Sequence, residues 1–416
     1  MASRPSRFAP LARPRFTALW AGGMISWYGD FLTIPALLII CYRLGGEFAV
    51  GLLFVFQTAP LLVLLPLGGA LGDRGDRRRR LVALDLVRAA LAAATIAGSQ
   101  GHLLPLVLLA TAGSRSAAAL YDPGRRRLIA VVLPGSLVGS GSSLLSVGSE
   151  SAIVVAPALG ALLLLVISPT WLLAIDGVTF LISATLIARV GPQPAVWLGR
   201  VASARRSWHS LRRGFDLIFA DHTTRLFVLS AGMGAALASV IQVYFVPLAQ
   251  YVFHVGTNQV GVMYVLVGGA SVLGSAVAVR RPQVRRQRLA LIGYFHLVVV
   301  VVIGLAVGPA AVGVAVAAFA ASGALQEVWG LNRVQTTTPR DGVGQAMGAT
   351  LWCLFAGRAL GAAVAAWGAT HLGREEFLAS FAAVAVAVCL LTTLRGQLLV
   401  GRNPASWPPG GPPLPL

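Results

Sequence analysis

Lysine is absent from this 416-residue chain, so all 33 of its basic residues are arginine. Acidic residues are scarce too, with 14 Asp and Glu together, and only 11% of the chain is charged. A soluble domain carries about 25%, and a soluble protein this poor in polar groups could not cover its own surface. Cysteine is limited to Cys41, Cys353 and Cys389, each alone in an apolar run, a spacing that fits no metal or redox motif. Clustered His/Cys ligands, a Gly-x-Ser-x-Gly elbow and a phosphate loop are all missing, which leaves no catalytic site, no metal and no cofactor to expect. A cleavable leader is not expected either. Residues 1–15 are polar and basic, and the apolar run after them is too long for a signal segment.

What the chain does have is apolar length. It is 56% hydrophobic, with a mean hydropathy of +0.78. Lipid is the natural solvent for such a sequence. The net charge of +19 on its own suggests nucleic acid. The arginines, however, sit in short clusters between apolar runs and not along one polar face. That is topological charge, and no nucleic-acid partner is expected.

Runs long enough to span a bilayer, about 20 residues, recur along the whole chain. They predict an all-α integral membrane protein with spans at 16–42, 47–71, 81–100, 103–121, 136–167, 170–190, 223–253, 257–279, 287–308, 310–332, 344–370 and 376–395. The loops support this spacing. Arg4, Arg7, Arg13 and Arg15 precede span one, Arg74 and Arg77–Arg80 follow span two, and Arg125–Arg127 follow span four. Arg200, Arg205, Arg206, Arg212 and Arg213, then Arg280, Arg281, Arg285, Arg286 and Arg288, then Arg340 and Arg402, continue the series. The alternate loops are nearly bare, with Arg43 and Arg374 as exceptions. By the positive-inside rule both termini lie in the cytoplasm.

The division is then a cytoplasmic tail 1–15, a six-helix half 16–190, a linker 191–222, a second six-helix half 223–396, and a Pro/Gly-rich tail 397–416 expected to be disordered. In the linker, Trp208, Leu211, Phe215, Ile218 and Phe219 recur at helical spacing among arginines. That pattern fits a helix in the interface plane or an inward extension of span seven. Two such halves suggest a transporter built from repeats. Composition alone leaves a multi-span membrane enzyme open.

The most informative segment is Gly69-Ala-Leu-Gly-Asp73-Arg74-Gly-Asp-Arg77-Arg78-Arg79-Arg80, in the loop after span two. It resembles motif A of the major facilitator superfamily, with Asp76 where the general motif has Gly. A merely topogenic loop would need neither Asp73 nor the glycines. Gly69 lets helices approach closely, and Asp73 can accept from helix N-termini and arginines. Together they would latch two halves that rock apart. Leu19-Trp20, Ser26-Trp27-Tyr28-Gly29-Asp30, Asp85-Leu-Val-Arg88, Leu120-Tyr-Asp-Pro123-Gly-Arg125, Leu133-Pro134 and Arg212-Arg213-Gly214-Phe215 follow in an order similar to the enterobactin-exporter and macrolide-efflux (Mef-type) branch. Pro157 and Gly160 resemble the core of antiporter motif C, with Ala156 and Ala161 in place of its flanking glycines. A Pro kink common to membrane helices is the plain alternative.

The resemblance implies a major facilitator fold with twelve transmembrane helices, in which spans one, four, seven and ten line a cavity and two, five, eight and eleven form the seam. Ionisable groups at membrane depth are costly and usually functional. Asp30 lies roughly 20 Å into span one at about 1.5 Å per residue. It is the first candidate to take a proton outside and release it inside, with Glu150 and Glu327 next. The competing reading is a permanent pair, such as Glu150 with Arg115 or Glu327 with Arg333. Arg115 and Arg358 are further cavity candidates. So are the aromatic residues Trp27, Tyr28, Tyr244 and Trp329, although ordinary packing explains such residues more often. Asp85, Arg88 and Asp176 fall on peripheral spans and read as shallower.

The expectation is a monomeric, multi-pass protein of a bacterial inner (cell) membrane. It would export an amphipathic small molecule, a drug, antibiotic or siderophore, by proton antiport and alternating access. An importer on the same fold is the first rival. A non-transporting membrane scaffold or enzyme is the second.

Overall fold

The structure, a computed structural model, describes residues 8–71, 76–191, 204–247, 257–280, 309–339 and 342–372. Among these, regular structure is entirely helical: a 3-10 turn at Ala9–Ala12 and eleven helices. They are α1 Pro14–Leu32, α2 Ile34–Leu71, α3 Arg77–Gln100, α4 Leu104–Val132, α5 Gly135–Leu163, α6 Pro169–Ala188, α7 Ala204–Ala220, α8 His222–Pro247, α9 Thr257–Arg280, α10 Pro309–Thr337 and α11 Val343–His371. Helices lie over ten of the expected spans. The expected spans at 287–308 and 376–395, and the tails 1–7 and 373–416, fall outside the described residues. Seven stretches among the described residues are long and apolar enough to cross a bilayer, and the first, Pro14–Leu64, covers the first two expected spans.

Local chemistry sets the helix ends. Proline stands in the first turn of α1, α4 and α6, where no amide partner is needed. Asp76 caps α3, its carboxylate accepting from the amides of Arg78 at 3.0 Å and Arg79 at 3.3 Å. This accounts for the Asp at a position where motif A has Gly: an N-cap accepts the orphan amides that open a helix. Asp221 caps α8 in the same way, accepting from the Thr224 amide at 2.8 Å.

Two breaks interrupt the first two spans. Pro35 has no amide to offer the carbonyl of Phe31. The helix pauses at Thr33, whose hydroxyl donates to the Asp30 carbonyl at 3.0 Å. Within α2, Gly46 has φ +62° and ψ −152°, a conformation in which a Cβ is not tolerated. There the chain turns from the first span into the second.

The helices run up and down, so among the described residues the helix-end arginines Arg13, Arg77–Arg80 and Arg126 fall at one end, with Arg43 at the other. Packing differs between the two ends. At the arginine-poor end one apolar cluster joins Leu38 and Cys41 before the Gly46 turn, Val50 and Leu53 after it, Val107 of α4, Val243 and Tyr244 of α8, Val316 of α10 and Ala365 of α11. It therefore ties α1–α6 to α8–α11. Toward the arginine-rich end the cores are separate. Phe16, Leu19, Leu81, Leu128, Ile129 and Ile187 cluster among α1–α6. Leu211, Ile218, Phe227, Val334 and Ala349 cluster among α7, α8, α10 and α11.

The seam between the groups is built from α2 against α11 and α5 against α9. Small residues bring backbones together there and beside it. A Cβ on Gly51 of α2 would stand 2.6 Å from that of Ala366 in α11. Nearer the arginine-rich end the Trp352 indole of α11 donates to the Leu62 carbonyl of α2 at 3.0 Å. The linker helix α7 lies across this seam, touching both α2 and α11. Leu211 and Ile218 are buried on one face, Phe215 meets Trp352 edge to face at 5.8 Å, and Trp208 and Phe219 remain exposed. It is an amphipathic helix set off from α8 at Asp221.

Candidate functional site

The densest polar chemistry among the described residues lies inside the α1–α6 bundle. Asp30 comes from α1, just before the break at Thr33. Arg88 comes from α3 and forms an ion pair with the Asp30 carboxylate, while its other terminal nitrogen donates to Ser26 Oγ at 3.2 Å. The guanidinium also stacks over Phe180 of α6, 4.1 Å from the ring centroid. Asp85, one turn before Arg88, accepts from Ser183 Oγ of α6 at 2.7 Å and from the Tyr121 hydroxyl of α4 at 3.2 Å. Asp176 of α6 receives a long contact from Thr179 Oγ1 at 3.4 Å. All three carboxyls and Arg88 are buried.

A pocket adjoins this cluster. Asp30, Thr33, Gln57, Thr95, Arg115 and Asp176 line it, and it encloses a void of about 400 Å³ including its open mouth. Apart from Arg115 and the two carboxyls, its polar lining is hydroxyl and amide. Gly29 makes room for it, since a Cβ there would stand 2.5 Å from Asp176 Oδ1.

The other candidates fall in several places. Trp27 lies beneath Arg125 of α4, whose guanidinium is 3.3 Å from the ring centroid and is fully buried. Gly23 makes space for that guanidinium, and Asp122 accepts from it at 3.0 Å. Tyr28 donates to Ser151 Oγ of α5 at 3.2 Å. Tyr244 reaches the Ala365 carbonyl at 3.4 Å, and the Trp329 indole donates to the Ala278 carbonyl at 3.0 Å. These aromatic residues therefore serve helix–helix packing. Arg115 lines the pocket, with Phe31 5.8 Å away. Glu327 and Arg358 are exposed on α10 and α11. Arg333 pairs with Asp221 at 3.3 Å, so the Glu327 partner suggested by sequence is taken up elsewhere. Gln326, adjacent to Glu327, instead donates to Ser230 Oγ of α8 at 2.9 Å. Glu150 belongs to α5, but its side chain lies outside the described residues.

Of the motif A residues, Asp73 and Arg74 lie outside the described residues, and Gly69 is described only as part of α2. Arg78 donates to the Ala188 carbonyl at the end of α6 at 3.1 Å. Arg77 opens α3. Pro157 is carried within α5 without ending it, and Gly160, one turn on, meets α1 at its break. A Cβ on Gly160 would stand 2.1 Å from the Leu32 carbonyl oxygen.

At the arginine-rich end, burial pushes the Asp221 carboxyl up, but hydrogen bonds from the Thr224 hydroxyl and amide and from Arg333 outweigh it. They hold the group below the usual carboxylate range.

The model of the Major Facilitator Superfamily matches residues 19–362. The chain belongs to that superfamily. It is therefore a multi-pass membrane transporter and not an enzyme. A "Putative bacilysin exporter BacE" of Bacillus subtilis (strain 168) is 26% identical over 275 residues, covering 64% of this chain and 66% of that protein. The protein of the same name from Bacillus amyloliquefaciens is 24% identical over 271 residues, with the same shares covered. Among solved structures, the nucleoside transporter NupG superimposes with a TM-score of 0.67 at 12% identity, covering 91% of this chain and 98% of that one. A bacterial homologue of the human lysosomal transporter Spinster gives 0.65 at 14% identity, covering 89% and 84%. These structural likenesses establish the major facilitator fold.

Sequence reasoning read Asp85, Arg88 and Asp176 as peripheral and shallow, and took Tyr121 and Arg125 only as part of a family-like segment. A signal was available. Asp85 and Arg88 are three residues apart on one helical face, and a charged pair on one face of a membrane helix calls for partners on a neighbour.

Proposed function

We propose that this chain exports an amphipathic small molecule from a bacterial cell by proton antiport and alternating access, working as a monomer with its arginine-rich end in the cytoplasm. The observation that carries the reading is the asymmetry of the apolar cores. One cluster crosses between α1–α6 and α8–α11 at the arginine-poor end, whereas separate cores stand at the other. Loop charge supports an outward position for the arginine-poor end, so the conformation is shut to the outside. The halves then exchange access by parting at Val50, Val243 and Ala365 and bringing together the separate cores at the other end.

Export is favoured over import by the name of the Bacillus relatives and by Gly160, which seats an antiporter-like motif against the α1 break beside Asp30. Antibiotics, drugs and siderophores are the substrate classes in view. The carboxyls available for coupling are Asp30 in its pocket, with Glu150 and Glu327 behind it.

The test is efflux. Proteoliposomes containing the protein are loaded with erythromycin or an alanine dipeptide, and a pH gradient is imposed. Release should follow the gradient and stop when it is collapsed. Flux indifferent to the gradient would refute proton coupling, and gradient-driven uptake on the cytoplasmic side's behalf, with cells accumulating the compound, would reverse the direction.

A further inference from the structure

The carboxyls inside the α1–α6 bundle outnumber the cations. Among the described residues, Asp30, Asp85 and Asp176 are each at most 8% exposed. Arg88 faces all three, and Arg115 faces Asp176. Arg125, the next arginine along α4, is matched by Asp122 at 3.0 Å. Two guanidiniums thus serve three carboxyls. An unpaired buried charge is strongly disfavoured, and a group in that position takes up or sheds a proton instead.

We infer that a transported proton is stored on Asp176 of α6, in the pocket it shares with Asp30. This deepens the antiport reading and rests on it for the proton's journey, though not for its location.

Geometry selects Asp176. Asp30 has its ion pair with Arg88. Asp85 accepts from both Ser183 and Tyr121 and is wholly enclosed, away from the pocket. Asp176 has the weakest support as an anion, a single hydroxyl contact at 3.4 Å. It also lines the pocket, from which a proton can arrive and into which it can leave.

The charged groups acting on it are Asp30 from α1, Arg88 from α3 and Arg115 from α4; Asp85 and Tyr121 join the same cluster through Arg88. From α2 the pocket receives Gln57, which does not titrate. When Asp176 gives its proton to pocket water, the new carboxylate meets Arg115 and a share of Arg88. The bundle then changes from neutral to singly negative. Loss of the proton would draw Arg115 toward α6 and tighten α4 against it.

Infrared difference spectroscopy on the full chain in lipid at neutral pH reads this directly, because a neutral carboxylic acid has a carbonyl stretch that a carboxylate lacks. Asp176→Asn should remove one neutral-carboxyl band, while Asp30→Glu and Asp85→Glu, which keep the charge count, should leave it in place. Asp176→Glu should shift the band without abolishing it, which guards against a variant that fails to fold. A band untouched by Asp176→Asn overturns the assignment. So does a band that disappears when sodium replaces choline, since a metal cation would then be the neutralising species. If the spectra fail while gradient-driven flux stands, antiport uses another carrier; if flux fails while the band behaves as stated, the stored proton is static.

Discussion

Replacing Asp30 by Leu leaves the Arg88 guanidinium in the bundle without its direct partner. Breaking a buried ion pair costs about 3–5 kcal/mol, and both side chains are at most 8% exposed. The low end of that range is expected, because Asp85 and Asp176 also lie within electrostatic reach of Arg88 and take up part of the charge. Arg88→Met should cost as much or more, since it strands a carboxylate and also opens the space over Phe180. The double variant Asp30→Leu/Arg88→Met removes both charges together, and apolar replacement of a whole pair is often close to neutral. The double-mutant cycle should therefore show a coupling close to the two single losses taken together, about 6 kcal/mol, far above the roughly 0.5 kcal/mol within which independent sites add. Unfolding in mixed micelles by SDS titration, followed by tryptophan fluorescence, supplies the four free energies. Single-variant losses that simply add in the double variant would show that the pair does not hold the bundle, and the account of the site would fall with it. The same cycle clarifies transport assays. Asp30→Asn alters both packing and any proton path, so lost flux in that variant carries meaning only beside its measured stability.

Three further outcomes can be checked. Gly361→Ala places a Cβ 2.1 Å from the Ala236 carbonyl oxygen, forcing α11 off α8; a loss of about 1–3 kcal/mol is expected from overpacking. Gly348→Ala, on the same helix with open space around it, should be neutral or stabilising by up to about 1 kcal/mol, and equal behaviour of the two in a thermal-shift series would refute close α8–α11 approach. Asp221→Ala should lose about 1 kcal/mol through the α8 cap. Because the folded carboxyl titrates lower than the unfolded one, its contribution is full above the unfolded value near about 4 and disappears as pH falls through the folded value; a thermal-stability gap between variant and parent that persists at the acid end of a pH series would contradict that linkage. Trp352→Phe removes the indole bond to Leu62 across the seam. At about 1 kcal/mol for such a bond, the share of this outward-shut conformer relative to its alternative should fall roughly fivefold; spin-label distances between α2 and α11 would detect it, and an unchanged distribution would show that the bond does not favour this conformer.

How far the sequence could be read depends on the range of the physics involved. Hydropathy is a property of consecutive residues, so the ten spans that fall on described residues were legible, and the turn at Gly45–Gly46 fell between the first two of them. Loop arginines recur at every second connection, and that regularity needs no tertiary information. The linker helix was legible as an amphipathic pattern, but which seam it crosses was not, because the pattern fixes a face and not its partner. The site shows the same limit more sharply. Counting residues along α1 gives the depth of Asp30, yet depth says nothing about what stands opposite. Arg88 and Asp176 were discounted because each was placed on its own helix, whereas their burial arises from α3 and α6 packing against α1. Gly29 illustrates the point. In sequence it is one glycine among 47, and only the position of Asp176 on α6 explains why no side chain fits there. Lateral pairing inside a membrane bundle is thus the information that a single chain withholds longest. Where three acids and two arginines share an interior, the charge left over is more informative than any one residue's depth, because a proton or a cation must answer it.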